Sequence, residues 1–206
     1  MRFVPRTLTI AAFAAAMLGL GAAHAADLAK VQETCDTCHG KDGASTDPEY
    51  PSIGGISRKY MEFNLEDYKA RKRPCPETTF RSGPSKGKKT DMCELTKDLS
   101  NGDISALAKT YSGKKFVKMT QKFDPALAKK GKAVHEENCE KCHANDGTDV
   151  KDDAGMLAGQ STPYLRKTLQ EYKAGKRKME QKMQPAIESL DAAAIEWLLN
   201  YYASVK

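Results

Sequence analysis

Four things are scarce in this sequence, and each scarcity removes a class of answer. After the first 25 residues no stretch is apolar for the roughly 20 residues that a membrane-spanning helix needs, so the mature chain is expected to carry no span. No polar–apolar alternation of any length signals a strand, which argues against a sheet-based fold. No motif of a nucleic-acid-binding fold occurs. The lysine clusters Arg71-Lys72-Arg73, Lys86 to Lys89, Lys129-Lys130 and Lys176-Arg177-Lys178 read as solvated helix ends and loops, with an acidic docking partner as the sharper reading. Histidine, finally, is limited to four residues in 206, at positions 24, 39, 135 and 143.

What is present begins with a leader. Arg2 and Arg6 form a basic start, Leu8 to Gly21 a short apolar run, and Ala23-His24-Ala25 an A-x-A cleavage site. That is the pattern of a secretory signal peptide, with an uncleaved anchor as the competing reading. Residues 1–25 are expected to be removed, His24 with them, leaving a periplasmic chain. Loss of the two arginines lowers the formal charge from +6 to +4. About 180 residues remain, one ordinary domain or two small ones. Domains that small usually need a disulfide, metal or cofactor.

Two copies of one unit fill that length. Cys35-Asp36-Thr37-Cys38-His39 and Cys139-Glu140-Lys141-Cys142-His143 both read C-x-x-C-H, the second starting 104 residues after the first (35 to 139). At the same offset Ile53-Gly54-Gly55 matches Leu157-Ala158-Gly159, and Tyr68-Lys69-Ala70 matches Tyr172-Lys173-Ala174. The offset then falls to 91, pairing Met92 with Met183, Leu99 with Leu190, Ile104 with Ile195 and Tyr111 with Tyr202. The first copy therefore carries 13 extra residues (104 less 91) between Ala70 and Met92.

Each copy reads as three main helices. The first starts at Asp27, or at Asp124 with Pro125 behind it. The second follows Ser57, or Ser161-Thr162, and Gly175 closes its later version. The third begins at Ser100 with Asp103, or at Asp191. The expected organisation is all-α: a first domain over 26–112 with an inserted loop, a lysine-rich linker over 113–123, and a second domain over 124–206.

C-x-x-C-H is the attachment signature of haem c. Cys35, Cys38, Cys139 and Cys142 would add to the porphyrin vinyl groups, and His39 and His143 would bind the two irons. A thioredoxin-like pair lacks its βαβ context here, and a zinc site would not give each motif its own histidine in this order. For the sixth ligand histidine is exhausted. His135 lies one turn before Cys139 and reads as packing or surface. Methionine is the natural remaining donor, and the repeat superimposes Met92 on Met183, with Met179 as competitor to the latter. Cys75 and Cys93 are left over. Both flank the insertion, and in an oxidising compartment they read as a disulfide. Cys93 as a thiolate ligand in place of Met92 is the competing reading.

With these residues on the page the chain resembles the tandem dihaem class I cytochromes c, the group that holds the c-4 type carriers and the cytochrome subunit of flavocytochrome c sulfide dehydrogenase. Asn138 to His143, Ser161 to Leu165 and Met179 to Met183 lean toward the latter. The resemblance implies two cytochrome c folds packed by pseudo-twofold symmetry, each around one covalent haem, with Tyr or Arg side chains near the haem propionates. Four propionates would bring the formal charge of +4 near zero. It implies one-electron transfer, as the accepting subunit of a flavoprotein sulfide dehydrogenase. The alternative is a free carrier between a quinol-oxidising complex and a terminal oxidase. An enzyme in its own right, with an open or Cys93-bound iron, is the third reading.

Overall fold

The computed structural model describes residues 22–150 and 153–205. The expected leader lies, up to residue 21, outside the described residues. The first copy comprises α1 (Ala22–His39), α2 (Arg58–Lys69), the two-residue strands β1 (Thr78–Thr79) and β2 (Lys89–Thr90), α3 (Met92–Thr96) and α4 (Asn101–Ser112). The second comprises α5 (Pro125–Asn138), the single turn α6 (Ala144–Gly147), α7 (Thr162–Lys173), α8 (Gln184–Ser189) and α9 (Ala192–Ser204). The fold is all-α apart from the short hairpin, in which Thr78 faces Thr90 and Thr79 faces Lys89 in antiparallel register.

Short polar side chains start most of these helices, because the first N–H groups of a helix have no partner within it. Ser57 accepts from the Tyr60 N–H and Ser161 from the Tyr164 N–H. Asp124 accepts from Ala126 and Leu127, ahead of Pro125. Ser100 and Asp103 form a reciprocal capping box, and Asp191 caps α9. Two features depart from the sequence expectation. α1 begins at Ala22 rather than Asp27, an alanine-rich start with high helix propensity. The short helices α3 and α8 start at Met92 and just after Met183, too brief for periodicity to announce.

The repeat is visible in the backbone. The Gly43 carbonyl accepts from Ile53 and Gly54, and the Gly147 carbonyl from Leu157 and Ala158. The Gly55 N–H donates to Tyr111, and that of Gly159 to Tyr202. Met61, Leu65, Leu99, Ile104, Leu107 and Tyr111 form one core. Leu165, Ile187, Leu190, Ile195, Leu198, Leu199 and Tyr202 form the other. Between them the Gln160 amide grips the backbone of Ser52 from both sides, accepting from its N–H and donating to its carbonyl at 2.8 Å each. The stretch after α4 is strapped down in passing: Ser52 donates to the Val117 carbonyl, and Gln121 bonds Thr162 and Gln160.

Where α5 crosses α9 the backbones nearly touch. A Cβ on Gly131 would lie 2.0 Å from the Trp197 carbonyl oxygen, so only glycine allows this approach. Gly131→Ala gains helix propensity but forces the helices apart. Its expected net cost is about 2 kcal/mol, read as a lower denaturation midpoint; a midpoint equal to or above that of the parent would show that the crossing is not this tight.

Candidate functional site

A helix turns about 100° per residue, so Cys35, Cys38 and His39 share one side of the last turn of α1. His39 is buried. Its Nδ1–H donates to the Pro51 carbonyl at 2.9 Å, which leaves Nε2 with its lone pair free. Burial lowers the His39 pKa, so the ring is neutral and able to ligate. Burial, seconded by the charge of Asp36, pushes the Cys35 thiol up to about 11. It stays a thiol rather than a thiolate and is not paired with Cys38. Beside these groups lies a largely apolar cavity of about 460 Å³. Val31, Met61, Leu65 and Met92 line it, and Pro76 and Thr78 of the insertion close one side.

The second motif follows the same plan with a different finish. α5 stops at Asn138, and residues 139–143 continue as turns. His143 has its Nδ1 3.0 Å from the Gly155 carbonyl, the residue that matches Pro51 at the 104 offset. Burial lowers its pKa as well. Cys139 is half-buried, and burial raises its thiol. Cys142 is exposed, whereas its counterpart Cys38 is buried. Met179 and Met183 both pack against the second core.

The lysine-rich clusters conceal a correction. Arg73 and Arg177 were expected in solvent, yet they are 7% and 3% exposed. The Arg177 guanidinium crosses between the copies to the Tyr60 hydroxyl (3.2 Å) and Asn64 Oδ1 (2.6 Å). Arg73 donates to the same Asn64 oxygen at 2.5 Å. Arg73 lies over Tyr68 and Arg177 over Tyr172, at 4.0 and 4.6 Å from the ring centres. Burial opposes ionisation of Tyr164, but the two guanidiniums outweigh it and pull its hydroxyl down. Burial drives that of Tyr60 up. The Arg73 Nε is buried without a hydrogen-bond partner. Two buried cations and an orphaned N–H call for an anion. The residues fit a haem c, whose carboxylates would supply that charge: neutral imidazoles, unpaired motif cysteines, thioethers and an apolar cavity complete the set. The signal for the arginines was in the sequence, since 73 and 177 obey the 104 offset, but clusters of positive charge usually stay wet.

His135 is not on the surface. It is fully buried, with Nδ1 3.0 Å from the Tyr202 hydroxyl and Nε2 2.5 Å from Glu140 Oε2. In the first copy Val31 stands at the matching position, and Tyr111 reaches Asp36 directly at 2.7 Å. His135 is thus a spacer inside a contact, present in both copies, between the last helix and the motif.

The structure joins Cys75 to Cys93. Their sulfurs and Asp91 cluster closely enough to suggest a metal site, but sulfurs bonded to each other are not thiolates. The same bond leaves Cys93 no thiolate to set against Met92.

A family profile described as Cytochrome c matches residues 128–206. The chain is 33% identical to cytochrome c4 of Stutzerimonas stutzeri over 172 residues, 76% of this chain and 78% of that one. It is 30% identical to cytochrome c4 of Pseudomonas aeruginosa over 200 residues, 86% and 90% of the two chains. The structure of reduced recombinant cytochrome c4 from Pseudomonas stutzeri matches with a TM-score of 0.70 at 27% identity, covering 88% of this chain and 98% of that one.

Arg177→Met removes the hydrogen bonds that cross between the copies. Hydrogen bonds to a charged group are worth about 1.5–3 kcal/mol, and a loss of that order is expected in equilibrium unfolding. Lys178→Met, at the exposed neighbour, is expected to stay within about 0.5 kcal/mol of the parent. Equal effects from the two would remove the arginine's special role.

Proposed function

We propose, from the premise that this chain belongs to the cytochrome c4 family, that it is a periplasmic carrier of electrons between a quinol-oxidising complex and a terminal oxidase, working through two haems. It is a c4-type electron carrier and binds haem c; the compartment, the count of two and the partners are the proposal. In this reading Cys35 and Cys38 hold one haem covalently and Cys139 and Cys142 the other. His39 and Met92 would bind the first iron, His143 and Met183 the second. When bound, each haem supplies a one-electron ferrous/ferric couple whose potential a thioether opposite imidazole raises.

The observation that carries the reading is the pair of imidazoles, His39 buried and His143 half-buried, anchored through Nδ1 on matched carbonyls, Pro51 and Gly155. That bond fixes the tautomer, keeps a proton on Nδ1, and holds the ring so that Nε2 faces the site. The Met61 and Leu65 side chains exclude water from the first site. Arg73 and Arg177 offer fixed positive charge at the junction of the copies. Irons bound by both the histidine and the methionine would leave no open position for a substrate in the resting protein, which favours a carrier over an enzyme. Among the described residues no helix is long and apolar enough to cross a membrane.

The reading as electron-accepting subunit of a flavocytochrome c sulfide dehydrogenase rests on local likeness in Asn138 to His143, Ser161 to Leu165 and Met179 to Met183. The relatives above are cytochromes c4. The exposed large hydrophobics among the described residues are Phe63 on α2 and Val117 and Phe123 between the copies. They are too few for the broad apolar face of a permanent subunit contact.

Protein isolated from its native host is expected to arrive without a flavin-bearing chain, to carry two haems by alkaline pyridine assay, and to be reduced by quinol-oxidising membranes but not by sulfide. A co-purifying flavoprotein, with haem reduction by sulfide, would replace this reading with the subunit one.

Met183→Ala is expected to lower one haem potential, by a substantial part of the ~0.8 V that axial ligands command, and to move that haem to high spin. Met179→Ala is expected to change neither. The reverse pattern would transfer the ligand role to Met179.

A further inference from the structure

The two methionine segments are held in different ways. Met92 is the first residue of α3, whose start Asp91 caps by accepting from the Glu94 N–H at 2.8 Å. The next residue, Cys93, is 2% exposed and bonded to Cys75. Just upstream, β2 pairs with β1. That hairpin is tied to the first motif: Ser82 donates to the Thr37 carbonyl at 3.1 Å, and the Tyr50 hydroxyl to the Thr79 carbonyl at 3.0 Å. The Thr96 hydroxyl bonds the Met92 carbonyl at 2.8 Å. These ties hold the backbone on both sides of Met92.

Met183 has none of the upstream ones. The 13 extra residues and both cysteines are missing from its copy. It ends a three-residue 3-10 turn, Gln181–Met183, with its own N–H on the Glu180 carbonyl and no side-chain cap. Residues 178–180 before it belong to no helix or strand. The nearest anchor is downstream, where Lys173 reaches the Ile187 carbonyl at 3.2 Å. The site is also more open at its motif, with Cys142 exposed where Cys38 is buried.

We propose that the disulfide-closed hairpin makes the first site inert to ligand exchange and leaves the second able to trade the Met183 thioether for a small neutral ligand. The inference rests on the axial-ligand reading above. Local opening of a segment is governed by the bonds that hold it. A disulfide closing a loop of this length is worth roughly a hundredfold in the closed-to-open ratio of its segment. Cys75 and Cys93 are therefore positioning residues for Met92, and the second site is where a diatomic or a nitrogen base would bind.

Carbon monoxide is the probe, added to the two-haem protein after reduction by ascorbate, which leaves disulfides intact. The haem bands are expected to report two phases: one equivalent per chain fast, the other at least tenfold slower. Met183→His, which fills the second site with a nitrogen ligand, should remove the fast phase. Cys75→Ser/Cys93→Ser should accelerate the slow phase, by at most roughly a hundredfold. Should that variant fold poorly, the folded parent is opened with a water-soluble phosphine. Disulfide, phosphine and water then give two thiols and phosphine oxide, with the haems still ferrous. Equal phases in the parent, no binding at either site, a fast phase that survives Met183→His, or a slow phase indifferent to opening of the disulfide would each overturn the proposal. A failure of the carrier reading shows separately, as fewer than two haems per chain or a reduced spectrum without the His/Met form before any carbon monoxide is added.

Discussion

One hydrogen bond per copy sets the terms for everything else: the imidazole Nδ1–H on a backbone carbonyl. A carbonyl can hold a ring in place only if its own segment is fixed. The segments around Pro51 and Gly155 are fixed by the paired donations to Gly43 and Gly147 and by Gly55 and Gly159 reaching back to the last helix. The helices of each copy support that arrangement from outside. α1 and α5 present the motif, and α4 and α9 supply Tyr111 and Tyr202, which bond the motif region. The apolar cores keep water from competing for these bonds, which in a dry interior count for more.

Above that level the copies diverge, and the divergence is chemical rather than architectural. The first copy uses Asp36 to Tyr111, the second inserts His135 between Glu140 and Tyr202. Each solution pairs a buried tyrosine hydroxyl, as burial demands, at the same junction of last helix and haem-attachment motif. Among the described residues the hairpin and its disulfide occur in one copy alone, against the first site. In the proposed two-haem reading, these different surroundings are a basis for holding the two centres at different potentials.

Much of this was legible in the sequence. C-x-x-C-H is a chemical signature whose spacing is set by the group it attaches, so positions 35–39 and 139–143 declared themselves. The helix starts at Ser57, Ser100, Asp124, Ser161 and Asp191 were legible because capping is local. The burial of Arg73 and Arg177 was not, since it depends on where two distant tyrosines and Asn64 come to lie, and flanking lysines made both positions look wet. For His135, read as packing or surface, packing holds, but its partners were hidden for a related reason: the Glu140 beside it becomes a partner only once the motif loop turns back. The pairing of Met92 with Met183 came from register alone, which cannot say that one of them is fastened and the other is not.

Asn64 has a consequence for how such a chain can be assembled. Its side-chain oxygen receives both arginines, while the matching position in the second copy is Thr168, which takes only a 3.4 Å contact from Arg177. The acceptor therefore belongs to one copy and is shared by both. Two first copies facing each other would hold two such acceptors, and two second copies none. The contact disfavours a pair of second copies, which would bury their arginines without this acceptor. Fusion into one polypeptide supplies the unlike partner at high effective concentration. It also means that the two copies, once diverged at this position, are no longer interchangeable building blocks.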